Sequence, residues 1–378
     1  MKTNGFSFTY KSLSKRATLC LPGHQYHYHS IKDSWKFAKN YPLSTSNLEL
    51  LRAYILEEII SALWMISECY IVMYMWPNGE SREFIITNDG FIVESDKHRQ
   101  WYSSYPFIHN NHYGETTFDF DPASVRKLDQ TFMWLPNTNN YTHFFLDFFG
   151  PWTEHLNDSK LLPSGTLITI NARPKWQSQL VQSIPSKGEL IVNLSPNQLV
   201  VYKLKNLIIP VSPSLHKNFY NTRIWCKHKY SSYASFPNLP NELPVVFMAR
   251  SPNESPRVNN ANAIERLVEE LSGITIIPSQ LTLQQKYEIL TKSKVLIGEG
   301  SSITNAILMS AQNSRLVILL AQEMLTNPSF VLGGWLYANS LGPNIELVHG
   351  YQRISTPLSP LASYTYSITE IKRAVLKP

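Results

Sequence analysis

From Asn47 to about Glu68 the apolar residues Leu48, Leu51, Tyr54, Ile55, Ile59 and Leu63 recur at three- and four-residue steps, the period of an amphipathic helix. The period then changes. Tyr70 to Met75 and Glu83 to Ile86 are continuous apolar runs around Pro77-Asn-Gly, which predicts two strands and a turn, with Phe91-Ile-Val extending the meander. Residues 97–122 are rich in Tyr, His, Asn and Asp and carry little periodicity, so they read as loops. After Thr131 the pattern becomes strand (Phe132 to Leu135), Asn-rich turn (Asn137 to Asn140) and helix (Thr142 to Leu156). Short strands at Thr166 to Ile170, Glu189 to Val192, Val200 to Tyr202 and Leu207 to Pro210 follow, with a helix over Pro174 to Ile184.

Pro213, Pro237 and Pro240 and many polar residues between Ser212 and Leu243 predict an interdomain linker. Beyond it the alternation is regular. Strand Val245 to Met248, helix Ala261 to Leu271, strand Ile274 to Ile277, helix Thr282 to Ser293, strand Val295 to Ile297, helix Ile303 to Ala311 and strand Leu316 to Leu320 succeed one another. A last strand near Ile345 to Val348 and a closing helix over Ile368 to Leu376 complete the chain. Apolar strands alternating with helices imply parallel sheets covered on both faces. The expected organisation is residues 1–215, of which 1–45 are loop-rich, a linker at 216–243, a second half at 244–345, and the strand and helix of 346–378. This is an α/β, GT-B-like architecture of two Rossmann-like, doubly wound halves facing a cleft. Ligands of such sheets sit at the carboxyl ends of the strands, so functional residues belong in the loops after Phe247, Ile277 and Ile297.

Composition narrows the class. With 378 residues, 43% hydrophobic and 16% charged, the chain has the apolar surface for two cores and is not disordered. The formal charge of +6 is scattered rather than gathered in a basic stripe, which argues against nucleic acid and suits a small anionic ligand. Cys20, Cys69 and Cys226 form no disulfide framework, and the first twenty residues lack the apolar core of a signal peptide. A cytoplasmic location is expected, with Lys11, Lys15 and Arg16 available to touch an anionic membrane, peripheral to the inner membrane. The apolar stretch from Leu50 to Trp76 carries Arg52, Glu57, Glu58 and Glu68 and reads as core rather than a membrane span.

Several constellations carry chemistry. Gly298, Gly300, Ser301 and Ser302 lie between a strand and a helix start, where unpartnered amides and the helix dipole favour an anion; the competing reading is a tight turn capped by serine. Arg250, Arg257 and Asn260 fall in a loop that the same sheet aims at the same edge, and two guanidinium groups suit a diphosphate. Surface pairing of both arginines with Glu254 or Glu265 competes with that reading. His143 and Asp147, four apart in a helix, share a face and can take a proton from a hydroxyl; a satisfied core histidine is the alternative. Asp119-Phe-Asp121 matches a metal-holding D-x-D, although Asp121 before Pro122 equally fits a helix cap. His24, His27 and His29 cluster in a stretch read as an exposed loop.

Taken in order, Asn140-Tyr-x-His143-Phe-x-Leu-Asp147, Arg250, Arg257-x-x-Asn260, Gln285 and Gly300-Ser-Ser-Ile-Thr-Asn305 resemble glycosyltransferase family 61, the DUF563-type proteins, over about residues 130–325. The resemblance implies a GT-B fold and inverting, metal-independent transfer from a nucleotide-diphosphate sugar, commonly a UDP-sugar, to a glycan or lipid-linked glycan acceptor. It makes residues 1–215 the acceptor side and 244–345 the donor side. His143 and Asp147 become catalytic, and Arg250, Arg257, Asn260, Glu299, Gly300, Ser301, Ser302, Thr304 and Asn305 bind donor, with no cofactor and no metal. Three residues depart from the pattern. Glu299 stands where histidine is usual, Ser301 where alanine is usual, and Ala261 where an acidic residue is common. A carboxylate at 299 repels a diphosphate unless it points away or binds a sugar hydroxyl. The pathway expected is capsule or lipopolysaccharide assembly. The alternatives are a CMP-sugar or metal-dependent transferase of the same architecture, and a glycan-binding protein that has lost the chemistry.

Overall fold

A computed structural model of the chain describes residues 62–88, 122–136, 141, 144–156, 165–171, 175–211, 215–232, 236–252, 257–299, 303–321, 344–351 and 363–377, with strand residues 2–4, 17–22, 92–93, 108–110 and 115–118. The chain divides into two compact units, one of Met1–Gln25 with Ile60–Pro213 and one of Tyr26–Ile59 with Ser214–Pro378.

The first unit runs β1 (Lys2–Asn4), β2 (Ala17–Pro22), β3 (Ala62–Met75), β4 (Ser81–Ile86), β5 (Ile92–Val93), β6 (Ile108–Asn110), β7 (Glu115–Phe118) and β8 (Arg126–Trp134). A π-helical turn over Phe144–Phe149 leads into α1 (Gly150–Leu156), then β9 (Thr166–Ile170), α2 (Lys175–Val181), β10 (Glu189–Val192) and β11 (Leu199–Val211). Its main sheet has the order β10-β9-β8-β11-β3-β4-β5, with β2 also on β3. The four strands β10, β9, β8 and β11 are parallel, and β2, β3, β4 and β5 are antiparallel additions. The expectation of a doubly wound half is therefore corrected: the sheet is mixed, and β10 connects to β11 through residues 193–198 without a helix.

The helix expected up to Glu68 is likewise a strand from Ala62 onward, and residues 47–61 lie outside the described residues. Within that strand the two-residue period breaks. Trp64 and Ile66 share a core with Cys69, Ile71, Met73 and Met75, so the inward set moves from even to odd positions across Glu68, whose φ is +52°. On the partner strand the inward set moves likewise, from Tyr202 and Leu204 to Leu207 and Ile209, and β8 absorbs the change in a bulge opposite Lys205.

In the second unit the stretch read as a linker opens with α3 (Leu215–Tyr230). Its inward face includes the buried polar residues Asn221 and Thr222 beside Trp225, Cys226 and Tyr230, which hides the apolar stripe. Arg223 donates to the carbonyls of Ile307 (2.6 Å) and Ser310 (2.7 Å). Next come β12 (Leu243–Met248), α4 (Ala261–Glu270), β13 (Ile274–Ile276), α5 (Leu283–Thr291), β14 (Ser293–Glu299), α6 (Ile303–Met309), β15 (Arg315–Ala321), β16 (Asn344–Tyr351), β17 (Thr365–Tyr366) and α7 (Ile368–Leu376). Arg223 thus caps the carboxyl end of α6, where a cation is favoured. The sheet order is β13-β12-β14-β15-β16-β17, parallel except for the last pair. Numbered within the unit this is 2-1-3-4-5-6, and its direction of winding reverses between β12 and β14. Helix α4 ends in a Schellman turn: Ser272, at φ +57°, donates to Glu269 O and Gly273 donates to Val268 O. Gly273 is required there, because a Cβ would lie 2.3 Å from Val245 O.

No helix among the described residues is long and apolar enough to cross a membrane.

Candidate functional site

The reversal point of the second sheet gathers charged side chains. Met248 pairs with Gly298, so the ends of β12 and β14 are neighbours, and Arg250 lies two residues past one while Glu299 closes the other. Arg250 Nη1 donates to Glu299 Oε1 at 3.0 Å, and Arg257 Nη1 stands 3.8 Å from Glu299 Oε2. Each carboxylate oxygen thus faces its own guanidinium. The Glu299 side chain is 6% exposed and each arginine 22%, so the acid is the buried member and the bases reach it from the rim. A carboxylate withdrawn from water is costly unless opposite charge meets it, and here two cations do.

Both arginines pair with Glu299, and Glu254, one of the acids expected to compete for them, lies outside the described residues. The charge of Glu299, expected to oppose a diphosphate at this place, is taken up by the same arginines. No local pattern reveals this pair, which is separated by 49 residues for Arg250.

Asn260 is bonded to the edge of the sheet. Its Nδ2 donates to Tyr366 O at 2.7 Å, and its Oδ1 accepts from Tyr366 N at 3.0 Å. Both ends of the amide are spent on the edge strand β17. The backbone continues the seam, since Tyr364 N donates to Arg257 O (3.0 Å) and Asn259 N donates to Tyr364 O (2.8 Å). The loop that carries Arg257 is therefore stitched to residues 364–366, and Asn260 is part of that seam. A Cβ at Gly350 would lie 2.8 Å from Tyr364 Cβ and from the Tyr366 ring, so the seam also needs a glycine on β16. Sequence reasoning missed Tyr364, Tyr366 and Gly350, for which no short motif exists. Gln285, part of the family resemblance, closes a capping box: its side chain accepts from Thr282 N (3.0 Å) while its own N donates to Thr282 Oγ1 (3.2 Å).

The remaining predicted residues are only partly within view. Gly300, Ser301, Ser302 and His143 lie outside the described residues, as do Asp119, Asp121 and His24, His27 and His29. Thr304 and Asn305 fall in the first turns of α6, and Asp147 within the π-helical turn, by backbone. That turn is fixed by its apolar side. Phe144, Phe145, Phe149 and Trp152 are buried, Tyr141 and Phe144 pack on Trp176 with ring centroids 4.9 and 5.3 Å apart, and Trp152 Nε1 donates to Trp134 O. A π-helical turn is uncommon and recurs at functional sites. Among the described residues no group of three His, Cys, Asp or Glu side chains can hold a metal.

Residues 141–317 match a protein-family model described as Glycosyltransferase 61. The match begins at the π-helical segment, runs through both arginines and Glu299, and ends in β15. No curated protein matches the chain.

Proposed function

We propose that the chain, which matches the glycosyltransferase family 61 model over residues 141–317, is a glycosyltransferase that has the GT-B fold and moves a sugar from a UDP-sugar to a glycan acceptor with inversion. The observation that carries the donor reading is the pair Arg250 and Arg257 at the reversal point of the second sheet, at the carboxyl ends of β12 and β14. In a single displacement the acceptor oxygen attacks the anomeric carbon, the bond to the diphosphate oxygen breaks, and the acceptor proton passes to His143 or Asp147. Arg250 and Arg257 stabilise the charge gathering on the departing nucleoside diphosphate, a task that needs no metal when two guanidinium groups share it. Tyr141 and Phe144, at the start of the segment that bears Asp147, pack on Trp176.

Incubation of the protein with UDP-, GDP-, ADP- and CMP-sugars, with and without EDTA, tests this reading. Release of UDP that survives EDTA and is lost in Arg250→Ala supports it. Release of CMP, or loss of turnover in EDTA, moves it to the other donor or to a metal-dependent enzyme. Inversion is read from the anomeric proton of the product. Replacing His143 by Ala and Asp147 by Asn singly identifies the base, and near wild-type turnover in both would remove these residues from the chemistry. The proposal extends to capsule or lipopolysaccharide assembly in the cytoplasm on a lipid-linked acceptor at the membrane surface. A deletion strain that keeps full-length surface glycan would end that extension.

A further inference from the structure

The arginines that the donor reading needs are already engaged by a carboxylate on a backbone fixed in the sheet. Glu299 is the last residue of a strand held on both sides, by β12 through Met248 and Gly298 and by β15 through Leu319. Its side chain is almost wholly buried and its two oxygens face different arginines. The two contacts are unequal. The 3.0 Å hydrogen bond fixes Arg250, whereas at 3.8 Å Arg257 is held by charge alone. Any phosphate that reaches these arginines shares them with a negative charge built into the sheet.

Resting on the UDP-sugar reading, we propose that Glu299 is a positioning and selectivity residue: a resident anion that orients Arg250 and Arg257 and penalises the free nucleoside diphosphate more than the sugar nucleotide, so that product leaves. The chemistry of the two ligands supplies the difference. A diphosphate diester carries about two negative charges, while the free nucleoside diphosphate carries about three near neutral pH, because the second ionisation of a terminal phosphate lies near pH ~6. Repulsion from a fixed carboxylate grows with ligand charge, by roughly tenfold in affinity per charge at short range once solvent screening is allowed. Arg257, the looser of the pair, is the arginine that turns from Glu299 to the ligand, and its loop is braced for that by the seam to Tyr364.

The test is titration calorimetry of wild type and Glu299→Gln with UDP, UDP-N-acetylglucosamine and inorganic pyrophosphate. Expected is a tightening of about tenfold or more for UDP and pyrophosphate in the variant, a smaller one for the sugar nucleotide, and stronger product inhibition by UDP. Equal or weaker binding of all three in Glu299→Gln overturns the proposal. Glu299→Asp keeps the charge on a shorter arm and is expected to retain the wild-type ratio of UDP to sugar-nucleotide affinity; tightening equal to that of Glu299→Gln also overturns it. If Glu299→Gln does not fold, wild type decides alone, because UDP binding tighter than UDP-N-acetylglucosamine by tenfold contradicts a resident anion. The two readings fail separately. Pyrophosphate that tightens in Glu299→Gln while no uridine nucleotide binds upholds the resident anion and removes the UDP donor. Turnover of a UDP-sugar with no change in pyrophosphate affinity does the reverse.

Discussion

The sheets of the two units are built from strands of similar apolar character, yet they spend that character differently. The first joins four parallel strands to an antiparallel set through the long pair β3 and β11, registered from Ala62 with Val211 to Tyr74 with Leu199. Its irregularities are inside the sheet, at Glu68 and at the bulge in β8. The second sheet is parallel until its last strand, and its irregularities sit at the carboxyl ends, where Arg250, Arg257 and Glu299 meet. In a parallel sheet every strand delivers its exit loop to the same rim, so distant residues converge without disturbing the ladder. An antiparallel set sends alternate loops to opposite rims and collects less. The difference shows where charge gathers: in the second sheet Arg250, Arg257 and Glu299 meet past the carboxyl ends of β12 and β14, while in the first a polar pair such as Ser67 with Asn206 lies between paired strands.

Six substitutions, arranged as four tests, break or sharpen this contrast, in falling order of effect. Arg250→Ala is expected to lower kcat/KM about 100-fold or more, ~3 kcal/mol of transition-state stabilisation, whereas Lys203→Ala in the first sheet leaves donor affinity unchanged. Steady-state kinetics with the identified donor measures both, and equal losses would end the contrast. Lys286→Met tests the packing under the second sheet. Burial lowers the Lys286 amine from 10.5 to about 8, so at neutral pH the folded state holds a disfavoured charge. Below pH 8 both folded and unfolded states are protonated and the penalty is full. Between pH 8 and about 10.5 the unfolded state binds the extra proton, so wild-type stability rises with pH across that window. A shift of this size corresponds to roughly 3 kcal/mol at most, and the variant should melt higher at pH 7 with a gain that shrinks by pH 10. Chemical denaturation at several pH values decides, and a gain independent of pH would refute it.

Gly273→Ala should destabilise by about 2 kcal/mol, because the new methyl meets backbone Val245 O. Gly165→Ala in the first sheet is expected to cost less. There the nearest atoms, Met133 Cγ and Thr131 O, are 3.0 Å away, and the methionine side chain can move. Urea midpoints of the two variants give the comparison. The smallest effect is Glu68→Gly, which removes a non-glycine residue from φ +52° but also the Lys203 ion pair at 2.9 Å; a net gain below about 1 kcal/mol is expected. A clear loss would show that the turn in β3 is held by the ion pair rather than strained.

The same contrast explains what the sequence made legible. From Leu243 to Ala321 the expected strands and helices agree with the structure to within two residues at each boundary, because buried parallel strands and amphipathic helices carry undisguised periods. Capping signals helped, as Thr282 with Gln285 at the start of α5 shows. In the first unit the expected helix runs on to Glu68 through residues that form the first half of β3, where both faces of the strand are apolar. Helix α3 was missed for a chemical reason, since its buried face holds Asn221, Thr222 and Arg223. At the site, composition and order pointed to Arg250, Arg257 and Glu299. Their mutual pairing, and the use of Asn260 as a brace, depend on tertiary proximity that no spacing records.

The seam between residues 257–260 and 364–366 has a consequence for the order of events during synthesis. Asn260 and Tyr366 are separated by 106 residues, and the Arg257 carbonyl waits for the amide of Tyr364. Domains begin to fold while the chain is still leaving the ribosome, and contacts of this separation form late. The β12 to β15 layers can assemble from residues already released, but the arm bearing Arg257 reaches its final place only after Tyr366 has emerged. A nascent chain stalled before that point would possess the sheet and lack the finished seam, so the loop of Arg257 is tied down only after synthesis has passed the edge strand.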